Sequence, residues 1–307
     1  MNNKSLAILL ATYNGSEYLK QQIDSILNQD FSDFILYIRD DNSTDSTKNI
    51  IKEHVLKYPE KIIEVEDNKI VNGASNNFML LLKYVHNLKK HNLFMFCDQD
   101  DVWQRNKIEL TMNEYDKVSN KNSPILIHTD LYVADKNLNV INKSFMQYSK
   151  LRKDYVNFNN YLIQNNVTGC TVCINKKLVD LINFDIKYII MHDWYFALIA
   201  SAFGYVIFIN TPTVYYRQHG KNLLGAKKVS ILNIKNKHYK ENISNLFVQA
   251  ENFKNVYYDL LTEENKEIID AFCKIKNSNK LMKIKIITKY KFYKQGLVRI
   301  LGQLFFI

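Results

Sequence analysis

From Leu6 to Ala11 the chain is apolar at every position, the pattern of a strand buried on both faces. Leu19, Ile23, Ile26 and Leu27 then recur at helical spacing, and Phe34–Ile38 predicts a second strand ending at Asp40-Asp41. Ser43, Thr44 and Asp45 offer capping side chains ahead of a helix marked by Ile50, Ile51 and Val55. Ile62–Val65 predicts a third strand, and Phe78, Leu81, Leu82 and Val85 another helix. Leu93–Cys97 predicts a fourth strand, which runs directly into Asp98-Gln99-Asp100-Asp101. Such alternation predicts an α/β fold, a mostly parallel central sheet flanked by helices. Ligands of these sheets bind beyond the carboxyl ends of the strands. Polar clusters fall at those ends: Thr12-Tyr13-Asn14, Asp40-Asp41 and Asp98–Asp101.

Beyond Ile125 the pattern is mixed. Ile125–His128, Gly169–Ile174 and Tyr205–Ile209 read as strands, and Trp194–Ala202 as a helix opening at Asp193. From about Val229 the sequence is helical and polar with scattered aromatics, which suggests a catalytic domain over 1–228 and a helical, basic extension over 229–307. With 307 residues, 47% of them hydrophobic, the chain can bury a sizeable core and is not a disordered polymer. The first apolar run is too short for a signal peptide, and no stretch reaches the roughly 18 apolar residues of a membrane span.

Charge changes the picture only at the end of the chain. No Asp or Glu follows Asp270, and nine of the net +10 charges lie beyond it, leaving about +1 for the first 270 residues. The segment 280–307 mixes Lys with Ile, Leu, Tyr and Phe, and this cationic amphipathic character suits an anionic membrane surface. An ordinary exposed helix is the plainer reading. Nucleic acid has the charge in its favour but no binding motif. Four cysteines do not form a secreted disulfide framework, so a reducing cytoplasm is expected. Cys170 and Cys173 form a CxxC, but their surroundings read as a buried strand rather than a zinc or redox site.

Three carboxylates within four residues at a strand end repel one another unless a cation joins them. Mg²⁺ or Mn²⁺ suits such oxygen ligands together with substrate phosphates, whereas the bland alternative is a solvated acidic turn. Asp41 is either part of a turn or a carboxylate accepting from the imide N–H of uracil or thymine. Asp193 is either a helix cap or a general base that deprotonates an acceptor hydroxyl. His219, after Arg217-Gln218, is a core or surface histidine or a contact to metal or pyrophosphate. Gly73 to Asn77 is a phosphate loop by composition alone, and no Walker A, GxGxxG or GxSxG sequence occurs.

Six segments occur in order: Thr12-Tyr13-Asn14-Gly15, Asp40-Asp41-Asn42-Ser43-Thr44-Asp45, Asn72-Gly73 with Asn77-Phe78, Asp98-Gln99-Asp100-Asp101-Val102-Trp103, His192-Asp193-Trp194 and Tyr216-Arg217-Gln218-His219-Gly220. Together they resemble the inverting family-2 glycosyltransferases of the A-type (GT-A) nucleotide-diphospho-sugar transferase fold. The DQDDVW and HDW…YRQHG forms look most like rhamnosyltransferase-type members that build bacterial surface polysaccharides. The resemblance spans residues 5–225. It implies a donor pocket lined by Thr12, Tyr13, Asn14, Gly73, Asn77 and Arg217, with Asp41 at the base and Gly169 near the donor sugar. It implies a metal held by Asp101 and supported by Asp98, with Asp100 in the same motif and His219 close by, and Asp193 as catalytic base. The expected partners are a dTDP- or UDP-linked sugar and a glycan acceptor, lipid-linked at the inner face of the membrane. A non-catalytic nucleotide-sugar or polysaccharide-binding protein on the same scaffold is the alternative, though pure binding needs no base. A nucleotidyltransferase would need a basic phosphate loop, and Thr12–Ser16 has no Lys or Arg.

Overall fold

Every residue of β1 (Leu6–Thr12) is buried, as its unbroken apolar run requires. Side chains of a strand alternate between faces, and the two sets enter two cores. Ala7, Leu9 and Ala11 pack with Phe78, Phe94 and Phe96, while Leu6, Ile8 and Leu10 pack with Ile23, Ile26 and Met112. The computed structural model describes residues 5–67, 69–220 and 237–306.

Strands β1, β2 (Phe34–Asp40), β3 (Ile62–Glu64) and β4 (Leu93–Cys97) alternate with helices α1 (Leu19–Leu27), α2 (Thr47–Lys57) and α3 (Ala74–Asn87). Adjacent in the order β3-β2-β1-β4, they form the parallel half of the sheet, as the βαβ pattern predicts. The second half is mixed. It contains β5 (Val102–Trp103), β6 (Ile125–Ala134), β7 (Val140–Asn142), β8 (Cys173–Asn175) and β9 (Tyr205–Arg217). There β8 runs antiparallel between β4 and β6, β6 and β9 pair in parallel, and β5 closes antiparallel on β9. Helices α4 (Lys107–Lys117), α5 (Phe145–Tyr148), α6 (Phe158–Ile163), α7 (Lys176–Val179) and α8 (His192–Phe203) connect and cover these strands.

Three expected boundaries move. Gly169–Thr171 forms a 3-10 turn, not the start of a strand, because the Thr171 hydroxyl and N–H both donate to the Thr168 carbonyl. Only Cys173–Asn175 is extended in the sheet, and the Cys170 and Cys173 thiols are buried and free. Burial pushes the Cys173 thiol up to about 12, which makes it unreactive. Helix α8 opens at His192 behind Met191, so Asp193 lies inside the first turn and is not the cap. In α2 the helix begins only at Thr47, whose N–H donates to Asp45 Oδ1.

The expected division at 228/229 lies outside the described residues. Beyond it come α9 (Lys237–Tyr257), α10 (Glu263–Ile275), α11 (Lys280–Tyr290) and α12 (Leu297–Phe306). Ile243, Phe247, Phe253, Phe272 and Phe292 of this region belong to the same apolar cluster as Tyr195 and Phe196 of α8. Among the described residues, no helix is long and apolar enough to cross a membrane.

Candidate active site

A cavity of about 370 Å³ opens at the carboxyl ends of β1, β2 and β4. Thr12, Tyr13, Asp41, Gly73, Asn77, Asp98, Asp100, Gly169 and Asp193 all line it. Gly73 has φ +104°, a conformation that favours glycine, and directs the chain into α3 at the cavity wall. Asn14, Asn42 and Asn72 adopt φ values of 48°, 63° and 48° in the loops that build the rim, where asparagine tolerates the left-handed region.

Four residues singled out from the sequence do not line the cavity. Asn14 ties two loops together: its side-chain oxygen accepts from the Thr44 N–H (2.8 Å), and its own N–H donates to Ser43 Oγ (2.8 Å). Arg217 is buried beneath the acidic segment. Its Nε donates to the Asp100 carbonyl (2.7 Å), Nη1 to the Lys136 carbonyl and Nη2 to Gln21 Oε1 (both 2.6 Å), and its guanidinium lies over Tyr18. Arg217 therefore fixes the acidic loop in place. Asp101, expected to be the direct metal ligand, points into the protein. Its Oδ1 accepts the Arg217 N–H at 3.0 Å; Oδ2 has no well-formed partner, and the Cys170 thiol lies beside it. His219 sits beside the cavity's acidic edge, with Nε2 2.7 Å from Asp100 Oδ2 and its ring against Tyr18.

Crowded carboxylates give the site its electrostatics. Burial pushes the Asp98 carboxyl up to about 7, and the charges of Asp100 and Asp193 add to the shift. The Asp193 carboxyl is likewise pushed up to about 7 by burial. The N–H groups of Trp194 and Gly169 and the Asn165 amide oppose that shift without overcoming it. A site that holds Asp98 and Asp100 in one cavity, with an imidazole at Asp100, fits a divalent cation of the oxygen-preferring kind. Asp98, Asp101 and Cys170 each place a ligand atom within 4.8 Å of the others, and Asp101 is fully buried.

Four contributors were given no role of their own from the sequence. Gln99 accepts from Thr12 Oγ1 (2.6 Å) and the Tyr13 N–H (2.9 Å), so it clamps the end of β1. A side chain at Gly15 would strike Gln99 Oε1, its Cβ falling 2.3 Å away. Asn165 steadies Asp193. His192 is buried among Phe78, Phe96 and Phe196, and burial pushes it down to about 3, so it is a neutral ring. A Cβ on Gly169 would lie 3.0 Å from His192 Nε2, which explains the glycine there. The fourth is Arg39, whose signal was visible: one cation inside an apolar strand.

Arg39 is fully buried and holds Asp67 with two hydrogen bonds (3.0 and 2.7 Å), Asn77 Oδ1 at 2.7 Å and Asp41 Oδ1 at 3.4 Å. Asp41 Oδ1 also accepts the Val71 N–H, so Arg39 anchors both Asp41 and the loop over it. Arg39→Met is expected to lower unfolding stability by about 3 kcal/mol, because it strands partners of a buried ion network. Urea denaturation measures this, and an unchanged midpoint would contradict the anchoring role.

An acidic strand end and a helix-borne carboxylate line one cavity on a sheet of this order, an arrangement suited to a glycosyltransferase of the GT-A type. The chain belongs to glycosyl transferase family 2, whose description matches residues 7–181. It is similar to the dTDP-rhamnosyl transferase RfbG of Shigella flexneri, with 31% identity over 253 residues, covering 77% of this chain and 83% of that protein. It is also similar to the UDP-Glc:alpha-D-GlcNAc-diphosphoundecaprenol beta-1,3-glucosyltransferase WfgD of Escherichia coli, with 23% identity over 64% of this chain and 69% of that one. In three dimensions it resembles S. aureus TarS 1–349 in complex with UDP-GlcNAc, with TM-score 0.56 and 18% identity over 88% of this chain and 70% of that one.

Proposed function

We propose that the chain transfers rhamnose from dTDP-rhamnose, with inversion, to a hydroxyl of a lipid-linked surface glycan at the inner face of the cell membrane. The supporting observation is that Asp193 and the acidic pair Asp98 and Asp100 line one cavity. A carboxylate on one side and a cation site on the other can bracket a sugar ring. In this reading Asp41 accepts from the thymine imide N–H, and Thr12, Tyr13, Gly73 and Asn77 frame the nucleotide.

Asp98, Asp100 and His219 would hold Mg²⁺ or Mn²⁺. Asp101 remains the alternative ligand: Asp100 faces the cavity, whereas Asp101 is buried with a carboxylate oxygen within 4.8 Å of one from Asp98. When bound, the cation supplies neutralising charge for the departing nucleoside diphosphate. Asp193 takes the proton of the acceptor hydroxyl as that oxygen bonds to the anomeric carbon. The bond from that carbon to the diphosphate oxygen breaks on the opposite face, which inverts the centre. Similarity to a dTDP-rhamnosyl transferase favours dTDP-rhamnose over UDP-linked donors.

Thermal unfolding with dTDP-rhamnose, UDP-glucose and UDP-GlcNAc, each with Mn²⁺, Mg²⁺ or EDTA, tests the reading. A donor at a hundredfold excess over Kd adds about 2.7 kcal/mol to the folded state. We expect the largest rise in Tm with dTDP-rhamnose and metal, and its loss with EDTA. A flat response to every nucleotide sugar would end the proposal.

A further inference from the structure

Helix α12 is amphipathic, and its polar side faces the protein. Arg299 donates to the carbonyls of Ser149 (2.8 Å) and Lys150 (3.3 Å). Gln303 is fully buried, accepting the Lys294 N–H at 2.8 Å and donating to the Phe292 carbonyl. Just before the helix, Gln295 accepts the Arg152 N–H and donates its own N–H to Gln164 Oε1.

Leu304 packs against the apolar cluster, but one apolar stripe faces out. Leu297, Leu301 and Phe305, spaced by four, are 79%, 67% and 77% exposed. A surface helix of a globular protein normally turns that stripe inward. The amine of Lys280 reaches the carbonyls of Leu304 and Phe305, tying the start of α11 to the end of α12. Leu281, next in the chain, is 81% exposed, and Ile284 is exposed one turn on. Lys280 and Lys285 are exposed on α11 and Lys283 is half-buried, while Lys289 is exposed but pairs with Glu267 at 3.0 Å. After Asp270 the chain carries nine basic residues and no acidic one.

From this mounting we infer that α12 and the first turns of α11 form a docking surface for an anionic lipid bilayer. Leu297, Leu301, Phe305 and Leu281 enter the boundary between headgroups and acyl chains, and Lys283 and Lys285 of α11 meet anionic headgroups. Charge argues against a second copy of the chain as the occupant, because two such surfaces would repel each other. The buried side of the helix joins this surface to the active site. Arg299 and Gln295 grip residues 149–152, Asn166 donates to the Arg152 carbonyl, and neighbouring Asn165 holds Asp193. Docking would thus hold the base side of the cavity at a fixed position relative to lipid. This deepens the proposed function in one respect, the location of the acceptor; the binding itself does not depend on which sugar is transferred.

Flotation of the full chain with vesicles tests it. One set contains phosphatidylcholine with phosphatidylglycerol, the other phosphatidylcholine alone. Wild type is expected to float with the anionic vesicles at low salt and to be released by high salt. Leu297→Ser/Leu301→Ser/Phe305→Ser, which keeps Arg299 and Gln303, should partition at least about tenfold less. Lys283→Gln/Lys285→Gln should lose about fivefold per residue removed. Each variant should keep the wild-type Tm rise with donor, so loss of docking is separable from failure of the donor reading. Wild type that ignores anionic vesicles overturns the inference, as does a triple variant that floats equally. Concentration-dependent dimerisation abolished by the triple variant, with flotation unchanged, also overturns it and assigns the surface to a second copy.

Discussion

Asp193→Asn is expected to lower kcat by about 10²–10⁴, the usual range for removing a general base. Donor affinity should stay within about twofold, because an isosteric amide leaves the cavity walls in place. Asp193 is suited to the role by its surroundings. Burial raises its carboxyl to about 7, close to the pH at which a base both exists unprotonated and accepts a proton effectively. The N–H groups of Trp194 and Gly169 and the Asn165 amide orient the carboxylate without lowering its basicity to that of an exposed aspartate. A raised folded-state value means the group is protonated, and inactive as a base, below about 7. Wild-type kcat/KM should therefore fall about tenfold per pH unit below that value and level off above it. The residual activity of the Asn variant should lose the Asp193 part of that limb and keep only what the Asp98 carboxyl, also raised to about 7, contributes. Steady-state rates from pH 5 to 9, with donor binding measured separately, decide the matter. Normal turnover at saturating donor, with donor affinity lost, would refute the assignment.

The parallel half of the sheet was legible because β1 and β4 are apolar at nearly every position, and such runs admit few structures other than a doubly covered strand. The polar loops were legible too, since strand ends in such sheets converge on one edge. What the sequence did not carry was direction. Asp100 and Asp101 are neighbours of one residue type, and only the fold turns one to the cavity and the other to the Arg217 N–H. Arg217 and Asn14 were plausible donor contacts by type. In the structure their polar atoms are occupied by Lys136, Gln21 and Thr44, partners distant in sequence. The Gly169 turn was hidden because Thr171 has a strand-forming side chain whose hydroxyl here donates to the backbone carbonyl of Thr168. The inverted mounting of α12 was hidden for a related reason: periodicity gives a helix two faces and does not say which is inward.

Replacing the two adjacent carboxylates separately should give opposite results. Asp100→Asn is expected to cut turnover by about 10²–10³, the scale of losing one electrostatic contact to developing charge. It should also raise the Mn²⁺ concentration for half-maximal Tm shift by at least about tenfold. Its stability should hold or improve, because it removes one of the like charges that push Asp98 up. Asp101→Ala should do the reverse. It leaves the Arg217 N–H without its acceptor in a buried place, at a cost of about 1–3 kcal/mol in unfolding stability. Asp101→Asn keeps a carbonyl for that N–H, so it should retain most of the stability and an almost unaltered response to metal. Turnover, metal response and the stability of each variant together separate a ligand from an anchor. If Asp101→Asn abolishes the metal response while Asp100→Asn spares it, the cation belongs to the buried carboxylate, and the acidic loop must turn over when donor binds.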